Sequence, residues 1–180
     1  MIWPIVATML SLVSASPGWV GAPVAAAGRT DSVDVCALFT EEEVAALSGD
    51  GVRAPRRTTY QFGTVTSSSC WYRTDKGSWS VKMNVERGRS AEDLQGMLKT
   101  LKGVVTQTTT QSLQPVAGIG DEAYWGQVGP TNGSLHVVIG TDFLTVQTWG
   151  KAPGAGTLEK TKGVATVVVN RFKEKYAASK

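Results

Sequence analysis

The chain carries one histidine, His136, and two cysteines, Cys36 and Cys70, so chemistry that needs paired imidazoles or clustered thiolates has little to draw on. A zinc site, or a nucleophile backed by a histidine base and a carboxylate, would have to be assembled around His136 alone. In Leu135-His136-Val137 the imidazole alternates with two apolar residues, which on a strand sends it to the opposite, wetter face of the sheet. There it reads as a solvated side chain. A catalytic base is the competing reading, but nothing nearby in sequence marks a nucleophile. Gly118-Ile119-Gly120-Asp121 has the paired glycines of a phosphate-cradling loop. Asp121 and Glu122, however, put negative charge where a phosphate would sit, and a strand pattern follows where a helix is needed. The segment therefore reads as a tight turn that launches a strand. Asp121 and Glu122 are adjacent, so on that strand they point to opposite faces and do not form an acid/base pair.

Two aromatic pairs, Trp71-Tyr72 and Tyr124-Trp125, are the strongest binding candidates. Each pair sends one ring to each face of its strand, so one aromatic from each could decorate an exposed sheet surface and contact peptides, glycans or partner proteins. The competing reading is that the rings close the core beside the cysteines. The candidate binding set is therefore Trp71, Tyr72, Asp121, Tyr124, Trp125 and His136, with no catalytic residue, metal or cofactor expected. Residues 151–180 hold seven Lys/Arg against two Glu, a basic end that could meet an acidic surface or simply stay solvated.

The elements that must position these groups belong to a chain of 180 residues, 42% apolar, with a net charge of +3. That charge is too small to argue for nucleic acid, and the apolar content is too high for a disordered chain. Residues 1–28 contain no charged side chain. Ile5 to Ala15 form a small and apolar run, Pro17-Gly18 break it, and Val24-Ala25-Ala26-Ala27 supply small residues suited to a signal peptidase. The expected organisation is a signal peptide over 1–27, cleaved after Ala27, a linker over 28–33 and one domain over 34–180. A membrane span would need about 20 uninterrupted apolar residues, and the prolines leave about a dozen. No cysteine marks the cleavage point, so no lipid anchor or integral membrane segment is expected in the mature chain. Outside the cytosol, Cys36 and Cys70 are expected to form a disulfide. A metal pair would lack further ligands, and the C-x-x-C spacing of a redox pair is absent.

Thr40 and Glu43 form a capping-box pattern, with Phe39 and Val44 as a staple, for a helix ending at Ser48 before Gly49. The acidic run Glu41 to Glu43 thus reads as capping. Ser90 and Asp93 begin a second helix, with Leu94, Met97, Leu98 and Leu101 on one face and Gly103 as its stop. Between the helices, Trp79, Val81, Met83 and Val85 alternate with polar residues as a strand. Thr74 to Gly77 turn the chain from the strand of Cys70-Trp71-Tyr72, and an earlier strand includes Tyr60 and Phe62. Later strands are expected over 122–128, 134–139 and 143–149, with reversals at Asn132-Gly133 and Gly140-Thr141-Asp142. Residues 158–177 read as an amphipathic helix, although Val167-Val168-Val169 would equally suit a strand. The fold class is α+β: an antiparallel sheet of about six strands in two helix-plus-meander halves, helices on one face, and a C-terminal helix.

Three segments together carry a likeness. They are residues 34–44, from Asp34-Val35-Cys36-Ala37-Leu38 through Phe39-Thr40 to Val44; Ser69-Cys70-Trp71-Tyr72; and Gly118-Ile119-Gly120-Asp121-Glu122-Ala123-Tyr124-Trp125. They resemble a broad family of small exported bacterial proteins of unknown function, best populated among actinobacterial lipoproteins. This chain differs in lacking the acylated cysteine. The resemblance implies a cell-envelope or secreted location and a Cys36 to Cys70 pairing, and it supplies no catalytic residues. The expected function is a non-catalytic secreted or periplasmic binding module for an envelope protein, wall fragment or small ligand. A secreted inhibitor of a partner enzyme is the alternative, and a hydrolase using His136 is the third reading.

Overall fold

The structure is a computed structural model that describes residues 31–108, 113–127, 131–151 and 154–177. The expected leader, residues 1–27, and the first half of the linker, residues 28–30, lie outside the described residues. The linker's end is already structural: Val33 is buried and its amide donates to Ser68 Oγ at 3.4 Å.

A 3-10 turn, Val35–Leu38, leads into α1, Glu41–Ser48. The capping box forms: Thr40 Oγ1 accepts the Glu43 amide at 3.4 Å, and Glu43 Oε2 accepts the Thr40 amide at 2.9 Å. Gly49 ends the helix at φ +67°, a conformation glycine adopts without steric cost. Glu43 has a second task that spacing does not reveal. Both of its oxygens accept from the Arg171 guanidinium at 2.7 Å, which holds its carboxyl below the usual range and ties α1 to the C-terminal helix.

Seven strands form one antiparallel sheet: β1 Val52–Phe62, β2 Val65–Thr74, β3 Ser80–Arg87, β4 Gln114–Pro115, β5 Glu122–Gln127, β6 Asn132–Ile139 and β7 Asp142–Trp149. Their order is β1-β2-β3-β7-β6-β5-β4. The two expected meanders, β1–β3 and β5–β7, thus meet with the last strand of each at the centre, and β4 adds a two-residue edge beside β5. The row Cys70, Met83, Val146, Leu135, Trp125 runs across five strands on the inner face, every member buried. Over this face pack the 3-10 turn, α1 and α3, Leu158–Phe172. The valine triplet is helical, because Val164, Ala165, Val168 and Phe172 then fall on one fully buried face. A π turn, Lys173–Ala177, finishes the element.

The placement of α2, Ala91–Thr108, departs from expectation: helices cover both faces of the sheet, not one. Leu94 and Leu98 pack against Val138 and Phe143, whose strand neighbours Val137 and Leu144 belong to the inner core. The cause is the composition of β6 and β7. Consecutive apolar residues, Val137-Val138-Ile139 facing Phe143-Leu144, make both faces apolar at that end, and each then needs a cover. The helix also runs past Gly103, whose φ is not positive, so that glycine is not a stop. Nor is Asn132-Gly133 a reversal; both residues lie in β6, paired with Trp149 and Thr148. A Cβ at Gly133 would collide with the Trp125 ring and the Gly156 carbonyl, so this glycine serves a close approach. The final residue of the strand expected over 122–128 lies outside the described residues.

Cys36 and Cys70 are bonded, with Cα atoms 5.2 Å apart, fastening the 3-10 turn to β2. On the same inner face Arg87 is buried. Its Nε donates to Asp142 Oδ1 at 3.2 Å, and its guanidinium lies 5.9 and 5.8 Å from the ring centres of Phe172 and Tyr176.

Candidate functional site

On the outer face, α2 covers only the β5–β7 half. Among the described residues, the sheet is left open across β1, β2, β3 and the adjoining part of β7 as a groove of about 480 Å³. Strand register orders its side chains in rows. The first is Arg56, Trp71, Lys82, Gln147; the second is Thr58, Ser69, Asn84, Thr145. A third begins with Tyr60, Ser67 and Glu86. Short polar side chains form the floor because these strands alternate strictly, sending Cys70, Met83 and Val146 inward.

Hydrogen bonds fix that floor. Thr58 and Ser69 hydroxyls lie 2.6 Å apart, and Ser67 Oγ donates to Asn84 Oδ1 at 3.0 Å, turning the Asn84 amide nitrogen toward Glu86 at 3.4 Å. Trp71 is held from two sides. Arg73 lies 4.5 Å over its ring, and Trp149 meets it at 5.8 Å with the planes tilted by 39°. Among the described residues neither Arg56 nor Lys82 has an ion-pair partner, while Glu86 is taken by Arg89 at 2.9 and 2.5 Å. At the β1 rim Tyr60 is 65% exposed, and Phe62, two residues on and so on the same face, is 88% exposed.

Of the aromatics singled out from sequence, Trp71 alone lines the groove. Tyr72 faces inward, its hydroxyl donating to the Cys36 carbonyl at 3.1 Å, and burial pushes its phenol up to about 12. Trp125 is in the core. Tyr124 shares the outer face with Trp71 but is occupied by neighbours: its hydroxyl donates to Glu122 at 2.7 Å and accepts from Lys102 of α2 at 3.0 Å. Asp121 performs turn work. Its carboxylate accepts the Gly140 amide at 2.6 Å and its own amide donates to the Val138 carbonyl at 2.8 Å, joining two turns. Gly120, at φ +65°, has no room for a Cβ beside Val137 and the Val138 carbonyl, in keeping with a tight turn.

His136 is not the solvated side chain its alternation suggests. It lies on the outer face, but its ring stacks on Phe143 at 5.9 Å and 14°, and its Nδ1 is 3.2 Å from Thr145 Oγ1. Burial pushes its pKa down to about 4, so it is neutral at physiological pH. Among the described residues no group of three or more His, Cys, Asp or Glu could hold a metal ion. The basic C-terminal segment lies elsewhere: α3 packs on the inner face, and Arg171 is committed to Glu43.

Sequence reasoning missed Arg56, Lys82 and Asn84 as groove residues. The signal for Lys82 and Asn84 was present in the polar phase of β3, but only strand order shows that no helix of the described residues crosses over them. No protein-family model matches the chain, and no curated protein matches it. Among the described residues no helix is long and apolar enough to cross a membrane.

Proposed function

We propose that the protein is an exported, non-catalytic binding module of the cell envelope or its surroundings, and that its ligand sits in the outer groove. One observation carries this reading: among the described residues a single sheet face is covered by a helix over one half and left open over the other, and the groove in the open half is lined by a tryptophan, an exposed tyrosine and two cations without an ion-pair partner among those residues, Arg56 and Lys82. The Cys36–Cys70 disulfide supports an oxidising compartment. A non-catalytic role is supported by His136, whose imidazole is uncharged, stacked on Phe143 and engaged by Thr145.

The alternative, inhibition of a partner enzyme, draws on the exposed end of the β1–β2 hairpin at Phe62. Backbone NMR during titration with wall fragments, oligosaccharides, peptides and hydrolases separates the two. The binding module predicts shifts concentrated at the Trp71, Lys82 and Asn84 amides. Shifts confined to residues 60–65 favour the inhibitor, and probes that bind without moving the groove amides overturn the module. Mass spectrometry of the protein from its host tests export; an intact terminus with reduced cysteines would overturn it.

A further inference from the structure

Resting on that reading of the groove, we infer that its ligand is an acidic oligosaccharide, one whose sugars carry carboxylates. Arg56 on β1 and Lys82 on β3 stand in one cross-strand row on either side of Trp71, one strand away in each direction, so their backbones are about 10 Å apart. Neither has an ion-pair partner among the described residues, and Arg89 neutralises Glu86 in the neighbouring row. Among the described residues that line the groove, an anion therefore meets two cations, Arg56 and Lys82, and no carboxylate. The Arg56 fork can donate two parallel bonds to a planar carboxylate, and Lys82 adds a second point charge on the far side.

The floor argues for sugar as the carrier of that charge. Thr58, Ser69, Asn84 and Thr145 present short hydroxyl and amide groups, each able to exchange bonds with ring hydroxyls. Tyr60, two-thirds exposed, offers a flat apolar wall for the C–H face of a pyranose, and Trp71, two cross-strand rows away, lines the groove with a second aromatic ring. A peptide anchored by apolar side chains would find no apolar pocket in such a floor. A nucleic-acid strand needs a longer run of cations to follow its phosphates than two side chains in one row provide.

The test uses the full chain, as purified with its disulfide intact. Binding of hexagalacturonate is measured by calorimetry and by amide shifts, against its fully methyl-esterified form, a hexaglutamate peptide and a thymidine hexanucleotide. The expected result is binding to the acid that weakens at least tenfold on esterification and falls with added salt. It also weakens at least tenfold in the Arg56→Gln/Lys82→Gln variant and in Tyr60→Ala. All three side chains are exposed or at the rim, so the unfolding midpoints of these variants should match the parent. Equal binding of the ester, tighter binding of the peptide or nucleotide, or an unaffected double variant would overturn the acidic-sugar inference. If an uncharged sugar or a peptide moves the Lys82 and Asn84 amides instead, the binding module stands and only the ligand class falls. If no compound in the wider titration moves them, both fall.

Discussion

The two halves of the sheet share a plan and differ in how they are covered. In β5–β7 the outer phase carries Tyr124, Val138 and Phe143, and α2 lies over them; in β1–β3 the same phase carries Thr58, Ser67, Ser69, Lys82 and Asn84, and no element of the described residues lies over it. The inner face repeats the contrast in another form. Over β6 and β7 the cover is α3, held by a stripe of buried side chains, whereas β2 is capped by a 3-10 turn of four residues fastened by a covalent bond. Where a cover is too short to bury much apolar area, a disulfide supplies what packing cannot.

That contrast can be broken most severely at the bond. Replacing Cys36 and Cys70 by serine is expected to lower the free energy of unfolding by about 3 to 4 kcal/mol in urea titrations, since a loop of about 35 residues is released. A loss below about 1 kcal/mol would mean that the turn packs well enough without it. Next in size is the cover on the other half. Leu98→Ala, at a buried position of α2, should cost about 2 to 3 kcal/mol, and hydrogen exchange should rise in α2 before it rises in β1–β3.

His136 tests how dry the covered half is. Its folded pKa, about 4, lies below the ordinary value of 6.5, so the unfolded chain binds the extra proton. Stability is then complete above pH 6.5 and declines as pH falls through 6.5 toward 4, with about 2 kcal/mol lost at pH 5. His136→Leu should flatten that window in thermal melts recorded from pH 7 to pH 4. The smallest effect belongs to the open half: Arg56→Gln and Lys82→Gln should each change stability by less than about 0.5 kcal/mol. A larger loss would show that these cations hold the fold.

Legibility followed the range of the interactions involved. The α1 box at Thr40 and Glu43, the alternation of β3, and the tight turn before β5 were readable because each is decided within a few residues. The length of β1 was not, since Arg53-Ala54-Pro55-Arg56-Arg57 has little strand character and is held by pairing with β2 across a register shift. His136 misled for a related reason. Its alternation correctly assigned the face, but its burial is imposed by Phe143, and the apolar cover at that end is α2, which arrives from another part of the chain. Of the candidate site, Trp71 was legible. Its partners Arg56 and Lys82 come from neighbouring strands that only the sheet brings into line.

The seam between β3 and β7 sits in the middle of the sheet, yet it joins Glu86 to Phe143 and Ser80 to Trp149, segments made far apart in time. Until β7 has emerged, β3 presents a raw edge flanked by Val81, Met83 and Val85, the kind of surface that recruits stray strands. The Cys36–Cys70 link needs only the first 70 residues. Oxidation can therefore precede closure of the sheet, and chains cut short before residue 142 would be left sticky while already cross-linked.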